Sequence, residues 1–445
     1  MGGNKKLSLV LASTLAVSTL AGCGSGGDNA ASNNGGSAGG TQSASQGSGS
    51  SQEQVTLQYW NADDPSIQES KDAEKLIKEF ESSHPNIKIK MQYISYEMLH
   101  DKLVTAINAG DAPDVSWGLP EWVGEFAAID SLQDLTPYFD KWTDKDKIYP
   151  NVVDALKVNG KLVGMPNYLG IRALEYHEDM LKKAGIGAPP KTWDELIAMG
   201  PKIKEATGVD AFGITGTGVR VPQELIVYLA QNDLEIAKKM DDGKYKNTWN
   251  DDPEQLRRAA EVFQFYKDLA DKGVIGSKTW GYQELDTNLA LGQYAMSVNG
   301  AWQEQRAKEN PDGMKDVKIA PIPYKLKPAT YMEVVPFFIY KQTKHPEEAW
   351  EFLSFMMGKP YQDLVHPTNS ARNDVVSDSQ WGKDFMALSP TGVVFPPISL
   401  GGVTQAMIDS LARLYLKKDS PDDIAKWLSG TINESLKKSG DLSSK

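Results

Sequence analysis

Val55-Thr-Leu-Gln-Tyr-Trp60 begins the stretch that decides the fold, and Pro113-Asp-Val-Ser-Trp117 ends it. Both segments are short and rich in β-prone residues. Between them, Ile87 to Tyr93 alternates apolar and polar side chains, as a half-buried strand does. Two amphipathic helical patterns, at 72–83 and 99–110, separate the three segments. This β-α-β-α-β order predicts a layered α/β domain with a largely parallel sheet.

A second α/β run begins near residue 170. Thr192 to Glu195 has the spacing of a capping box, which predicts a helix start. Gly200-Pro201 follows within this helix and is expected to kink or break it. A buried strand at 211–215 and a long amphipathic helix at 253–272 come next. Residues 55–445 are too many for one typical core, so we expect two domains.

The N-terminus has the three parts of a secretory signal. Lys5 and Lys6 precede an apolar run from Leu7 to Ala21, which is too short to span a bilayer comfortably. Leu20-Ala21-Gly22-Cys23 then resembles a bacterial lipobox, in which cleavage precedes the cysteine and the thiol carries a diacylglycerol. We therefore predict a signal peptide at 1–22 and lipidation at Cys23. The alternative is an ordinary signal peptide followed by a chance cysteine.

Composition limits the kinds of site and partner that the protein can have. Residues 23–54 are mostly Gly, Ser, Asn, Ala and Gln, which predicts a flexible linker between the lipid anchor and the body. Cys23 is the only cysteine, so internal disulfides and cysteine-based metal sites are excluded. The formal net charge of −12 disfavours a nucleic acid partner, because phosphate backbones repel an acidic surface.

The common catalytic motifs are missing from the sequence. From residue 55 onward there is no Gly-x-Ser-x-Gly elbow, and the five histidines have no metal-ligand spacing. The glycine-rich segment 213–218 lacks the Lys-Ser/Thr of a phosphate loop, and 140–146 lacks the glycine and terminal glutamate of a calcium loop. We predict that the protein is not an enzyme and has no catalytic residues, cofactor or metal.

Several short segments, in their order along the chain, resemble the family 1 extracellular solute-binding proteins of ABC importers, the group that includes maltose-binding protein. They are Thr56–Trp60, Ala109–Val115, Gly160–Pro166, Leu174–Ile186, Pro190–Leu196, Gly292–Trp302 and Lys344–Phe352. The resemblance covers essentially all of residues 55–440. It implies the two-lobe periplasmic-binding-protein fold of type II, an α/β architecture with hinge crossings and a ligand cleft between the lobes.

The expected lobes are built from separate pieces of the chain. The N-terminal lobe comprises 55–166 plus 300–335, and the C-terminal lobe comprises 167–299 plus 336–440. The chain is expected to cross between them near 165–168, 298–301 and 333–338. Such hinged lobes can close around a ligand.

A sugar site needs flat aromatic rings and a few converging polar groups. Strand-end tryptophans and nearby polar residues supply both, and the resemblance adds Glu97 and Arg372. The predicted ligand-binding residues are Trp60, Asn61, Asp63, Glu97, Trp117, Asn167, Tyr168, Trp280, Asn299, Trp302, Glu333 and Arg372. Arg172, near the first crossing, is expected either to bind a hydroxyl or an acidic sugar, or to pair with a carboxylate such as Glu175.

The predicted function is to bind a mono- or oligosaccharide and deliver it to the permease subunits of an ABC importer. We expect a monomer, attached to the outer face of a bacterial cell membrane, most consistent with a Gram-positive cell, only through its lipid anchor. One alternative is a secreted carbohydrate-active enzyme, whose two cleft carboxylates would come from Glu97, Glu121, Glu175 and Glu333. Another is a sugar sensor or receptor component.

Overall fold

The computed structural model describes residues 54–276 and 280–445. The predicted signal peptide, the lipidation site Cys23 and the linker up to residue 53 lie outside the described residues. In the described part of the chain, no helix is both long enough and apolar enough to cross a membrane.

The strands alternate with helices along most of the chain. They are β1 (Val55–Asn61), β2 (Ile87–Tyr93), β3 (Val115–Trp117), β4 (Lys157–Val158), β5 (Lys161–Leu162), β6 (Met165–His177), β7 (Asp210–Gly213), β8 (Lys238–Lys239), β9 (Tyr245–Lys246), β10 (Tyr294–Gly300), β11 (Val317–Ala320), β12 (Thr330–Ile339) and β13 (Gly392–Val393).

The helices of the described chain lie between and after these strands in sequence. They are α1 (Gln68–Ser83), α2 (Tyr96–Ala109), α3 (Pro120–Ala128), α4 (Thr136–Phe139), α5 (Pro150–Asp154), α6 (Glu178–Lys183), α7 (Trp193–Thr207), α8 (Arg220–Gln231), α9 (Pro253–Asp271), α10 (Tyr282–Ala290), α11 (Gln303–Glu309), α12 (Pro311–Met314), α13 (Pro346–Met356), α14 (Lys359–Val365), α15 (Gln380–Met386), α16 (Gly401–Ala412) and α17 (Pro421–Ser439).

One large sheet runs through the molecule in the order β2-β1-β3-β12-β6-β10-β7, with β11 added to β6 and β13 to β12. The outer pairs β1–β2, β1–β3 and β7–β10 are parallel. The inner pairs β3–β12, β12–β6 and β6–β10 are antiparallel. The predicted α/β class is confirmed, but the sheet is mixed rather than largely parallel.

Local start signals predicted from the sequence are present. The Thr192 side chain accepts a hydrogen bond from the Glu195 amide and begins α7. The break predicted at Gly200-Pro201 was wrong, because α7 continues through Pro201. Gly200 packs so closely on Val274 that a Cβ there would lie 2.6 Å from Val274 Cγ2. Tertiary packing therefore outweighs the hydrogen bond that the proline removes.

Two large hydrophobic cores divide the body. The first core contains buried residues at 55–173, Ala301 and 332–385, and the second contains residues at 174–298, 322–331 and 395–436. A smaller cluster around Leu285 and Tyr294 accompanies the second core. Each core packs on its own part of the sheet, which is the arrangement of a two-lobe protein.

The two longest strands connect the cores. Along β6, Ala173 belongs to the first core and Leu174 to the second. Along β12, Tyr331 belongs to the second core and Met332 to the first. Helix α13, expected in the C-terminal lobe, packs in the first core instead. We therefore propose a revised division, in which 332–388 joins the N-terminal lobe and 302–331 joins the C-terminal lobe.

Candidate functional site

Charged, amide and hydroxyl side chains are buried where the two cores meet. Five of them form one hydrogen-bonded group, termed the junction cluster: Glu121 of α3, Arg172 of β6, Gln223 of α8, and Tyr331 and Glu333 of β12. None of the five is more than 7% exposed. Burial of charge is costly unless partners replace the lost water, so the hydrogen bonds of this group decide its chemistry.

Arg172 and Gln223 connect the two carboxylates of the junction cluster. Arg172 Nη2 donates to Glu333 Oε2 and to Gln223 Oε1, each at 2.9 Å. Gln223 Nε2 donates to Glu121 Oε1 at 3.0 Å and to Glu333 Oε1 at 3.2 Å. The Tyr331 hydroxyl donates to Glu121 Oε1 at 3.0 Å. The Arg172 guanidinium thus pairs with Glu333 alone, and the Gln223 amide joins the two carboxylates.

The same hydrogen bonds join the two lobes. Glu121 precedes Trp122 and Val123, which pack in the first core, whereas Gln223 lies on a helix packed in the second. Gly170 makes room for this contact. A Cβ at Gly170 would lie 2.7 Å from Glu333 Oε2, so any larger residue would disturb the ion pair with Arg172.

Burial raises the pKa of Glu121 by more than its hydrogen bonds lower it. Loss of solvent, followed by the neighbouring charge of Glu333, raises the pKa of Glu121 to about 7. The hydrogen bonds from Gln223 and Tyr331 act in the opposite direction. Glu121 Oε2 has no hydrogen-bond partner among the described residues. The carboxyl therefore holds a proton more readily than an exposed glutamate does, and one of its oxygens has no protein partner among the described residues.

Trp302 lies against the junction cluster. The Cζ atoms of Arg172 and Arg220 lie 4.3 and 4.9 Å from the centre of its ring system. The indole Nε1 donates to Asp286 Oδ2 at 2.8 Å, and Arg220 Nη2 pairs with Asp286 Oδ1 at 3.0 Å. The side chains of Arg220 and Asp286 are each only 3% exposed. Two guanidiniums on one indole form a cation–π arrangement.

Two more carboxylates are buried beside this arrangement. Burial raises the pKa of Glu224 to about 7, although the charge of Arg220 partly offsets the effect. Burial, followed by the charge of Asp286, raises the pKa of Glu175 well above its ordinary value. Neither oxygen of Glu175 has a hydrogen-bond partner in the part of the chain that the structure describes. Protonation therefore reduces the excess of carboxylates over guanidiniums here.

The cavity at the lobe junction is small in this arrangement of the two lobes. A cavity of about 10 Å³ lies among Arg172, Arg220, Gln223 and Glu224, with apolar walls from Val227 and Val298. That volume is close to the minimum for one water molecule. A sugar ring can therefore occupy the region only if the two lobes move apart and close again around it.

Four further predicted ligand residues, Asn167, Asn299, Trp117 and Tyr168, lie on the strands β6, β10 and β3. Asn167 and Asn299, in the strands β6 and β10, are at most 1% exposed. Asn167 Oδ1 and Asn299 Nδ2 have no hydrogen-bond partner among the described residues, and the same holds for Trp117 Nε1. An unmade buried hydrogen bond costs about 1–3 kcal/mol, so these atoms are candidate ligand contacts. Tyr168 packs against His366, with 4.7 Å between ring centres and 36° between the ring planes.

Trp60 and Glu97 lie on a different surface. They line an open groove of about 570 Å³ along α2, together with Asp101, Lys102 and Asp111. The groove is large enough for a small ligand. It is a second place where a sugar could contact tryptophan.

Asn61 ends β1 and is buried, Asp63 follows it, and Trp280 precedes α10. The Asp63 amide donates to Asn61 Oδ1 at 3.2 Å, and burial raises the pKa of Asp63 to about 6. Trp280 packs near Tyr294, with 5.9 Å between ring centres. The contacts of these residues neither require a ligand nor prevent one.

Arg372 has a different environment from the one expected. Its guanidinium donates to Asp144 at 2.8 Å, to Asp374 at 2.8 and 2.9 Å, and to the Met357 carbonyl at 2.9 Å. The side chain is 2% exposed. These bonds join the loop at 144 to the segment after α14, which favours a structural role over contact with a ligand.

Sequence reasoning missed most of the residues that meet at the lobe junction. The sequence indicates Glu121 only as a possible enzyme carboxylate, and it suggests Glu175 as a partner of Arg172. Gln223 and Asp286 carry no sequence signal, because both lie on helices and acquire their role only through contacts far along the chain. Gln223 is 102 residues from Glu121 and 51 from Arg172.

Within residues 54–276 and 280–445, no group of three or more His, Cys, Asp or Glu side chains is arranged to hold a metal ion.

Comparison with known proteins gives consistent results. The family described as bacterial extracellular solute-binding protein matches residues 64–363. A binding protein of Brucella abortus is 27% identical over 381 residues, which is 82% of this chain and 90% of that one. An uncharacterized extracellular-binding protein of an ABC transporter from Pyrococcus horikoshii is 25% identical, over 80% of this chain and 83% of its own.

A solved structure resembles the whole body. It is the ABC transporter solute-binding protein of Thermotoga lettingae bound with α-D-tagatose. The TM-score is 0.75 at 25% identity, and the match covers 86% of this chain and 99% of the other.

Proposed function

This chain belongs to the bacterial extracellular solute-binding protein family, and from that premise we propose that it binds a sugar between its two lobes and delivers it to an ABC importer. A relative from Pyrococcus horikoshii is named as a component of such a transporter, and the Thermotoga lettingae relative was solved with a sugar. Both are similar to this chain over most of their length.

The observation that carries the proposal is the lobe junction itself. Trp302 provides a flat aromatic surface, and Arg172 and Glu333 beside it provide hydrogen-bond donors and acceptors. Sugars present apolar ring faces and hydroxyl edges, which match these two kinds of group. We infer that a sugar stacks on Trp302 in place of one guanidinium while its hydroxyls replace hydrogen bonds of the junction cluster.

Delivery requires that the body stay near the membrane. We propose that the signal peptide is removed before Cys23 and that a diacylglycerol on Cys23 anchors the protein to the outer face of the cell membrane. Two acyl chains are enough for stable anchoring, whereas one is marginal. The segment up to residue 53 then acts as a tether, and the body works as a monomer.

Titration calorimetry of the protein against a panel of sugars, including D-tagatose and short neutral oligosaccharides, tests the proposal. We expect at least one sugar to bind with a dissociation constant of about 1 µM or tighter. Chromatography of the mixtures after prolonged incubation should recover the sugar unchanged. A panel in which no sugar binds, while an amino acid or polyamine does, would refute the sugar assignment.

A second candidate function is glycoside hydrolysis. Glu121 and Glu333 accept hydrogen bonds from one amide nitrogen, and Glu121 has the raised pKa that a general acid needs. Both carboxylates already have protein partners, which favours binding over catalysis. Steady product release that is abolished by Glu121→Gln would establish the hydrolase and reject the pure binding protein.

A further inference from the structure

Glu121 extends from one lobe and is held by the other. Its helix α3 packs in the first core, yet its carboxylate accepts hydrogen bonds from Gln223 and Tyr331, which belong to elements of the second. Close packing brings α3 to this position. A Cβ on Gly124 would lie 1.9 Å from the backbone oxygen of Ile398, a second-core residue. If the lobes separate at this contact, Glu121 loses the Gln223 amide and gains solvent.

We propose that Glu121 takes up a proton when the two lobes come together, so that protonation of this one carboxyl favours the closed arrangement. The proposal adds regulation to the proposed function and rests on it only in requiring that the lobes open and close. It identifies Glu121 as the residue through which acidity of the surroundings acts on the binding cycle.

The charges around Glu121 support a single protonation. Glu333 of β12 faces it across the shared Gln223 amide, and Arg172 of β6 pairs with Glu333 rather than with Glu121. Thus the one nearby cation already serves the other carboxylate. Closing the lobes with both carboxylates ionised would bury an unpaired negative charge, and a proton removes that penalty.

Other charged groups on the neighbouring elements have partners elsewhere. Glu125, on the same helix, is paired with His100, and Lys157 of β4 is paired with Asp154. On the second-lobe side, Arg220 of α8 pairs with Asp286, Glu224 of α8 accepts from Thr215, and the exposed Asp409 of α16 accepts from Gln405. None of these pairs joins the two lobes through Glu121.

The direction of the pH effect on closing follows from the pKa of Glu121 in the open and closed states. An exposed glutamate has a pKa near 4.5, and burial in the junction cluster raises the pKa of Glu121 to about 7. Between these values the closed state binds one more proton than the open state. Closure is therefore favoured by acid, lost as the pH rises through 7, and nearly independent of pH above about 8. The closing equilibrium should change roughly 30-fold between pH 8 and pH 5.5.

Fluorescence energy transfer between two dyes tests the proposed pH-dependent closing in the absence of sugar. Cys23 is the only native cysteine, so the full chain carrying Cys23→Ser can be labelled at Lys78→Cys in α1 and Lys202→Cys in α7, both exposed positions on opposite lobes. We expect the interlobe distance to shorten on acidification, with the change beginning near pH 7 to 8 and growing as the pH falls toward 4.5. The isosteric change Glu121→Gln should abolish that transition.

Two further variants distinguish Glu121 from the other buried carboxylates near the junction. Glu224→Gln is the matched control, because the pKa of Glu224 is also raised to about 7 while its contacts with Thr215 and Arg220 stay within one lobe. This variant should keep the transition. Tyr331→Phe removes a hydrogen bond that lowers the pKa of Glu121, so the change should begin at higher pH.

The outcomes are distinct from those of the sugar titrations. A distance that does not change with pH, or changes equally in the native chain and Glu121→Gln, would overturn the proposal even if a sugar binds tightly. If Glu121→Gln does not fold, the direction of the Tyr331→Phe shift decides, and a change that begins at the same or a lower pH would reject the role of Glu121.

Discussion

Replacement of Arg220 by methionine is expected to lower the free energy of unfolding by about 3–5 kcal/mol. Arg220 and Asp286 are the most deeply buried of the ion pairs seen in the described residues, with 3% of each side chain exposed. Methionine preserves much of the packing on Trp302 but leaves the Asp286 carboxylate buried with no cation beside it. Urea denaturation of the native chain and the variant measures the difference.

Two comparisons identify the cause of that loss. Arg257→Met removes an arginine from exposed ion pairs on α9 and should change stability little, because solvent screens such pairs. Adding Asp286→Asn to Arg220→Met should recover much of the lost stability, since the amide oxygen can still accept from Trp302 and the buried charge is gone. A double variant no more stable than Arg220→Met would show that packing, not charge, is responsible.

Replacement of Trp302 by alanine is expected to weaken sugar binding about 100-fold, the effect typical of a central aromatic contact. The proposed site places the sugar ring on this indole, so truncation removes the stacking surface. A modest loss of stability should accompany the change, because Trp302 also donates to Asp286 and packs on two guanidiniums. Calorimetry with the sugar that binds the native chain measures the affinity.

Two other tryptophans serve as comparisons. Trp350, stacked on Tyr138 at 5.5 Å in the N-terminal lobe, lies away from the junction, so Trp350→Ala should keep native affinity. Trp60 lines the groove along α2, and Trp60→Ala should matter less than Trp302→Ala if the junction holds the sugar. If Trp60→Ala abolishes binding and Trp302→Ala does not, the sugar binds in the groove instead.

Local features of the fold could be predicted because they depend on neighbouring residues. Strand β1 follows from its β-prone residues and β2 from alternation. Helix α7 begins at the capping box predicted at Thr192, with the Thr192 side chain accepting from the Glu195 amide. Pro201 is the exception. The preceding residue, Gly200, packs on Val274, which is distant in sequence, so a local rule could not foresee an unbroken helix.

The lobe boundaries and the junction could be predicted only in part. The crossings expected near 165–168 and 333–338 fall on β6 and β12. Which core each residue joins depends on helices such as α13 that pack back on earlier strands. Trp302 and Glu333 were predicted from position near a crossing. Their partners Arg220 and Gln223 come from one helix turn whose sequence resembles any amphipathic helix, so only the folded chain brings them together.

The most direct test of the central claim is a crystal structure of the protein with the tightest-binding sugar of the panel. We predict that the sugar lies between the lobes, with a ring face on Trp302 and hydroxyls within hydrogen-bond distance of Arg172, Glu333 or Glu121. A sugar bound on the outer surface of either lobe, with the junction cluster unchanged from its ligand-free hydrogen bonds, would contradict the claim.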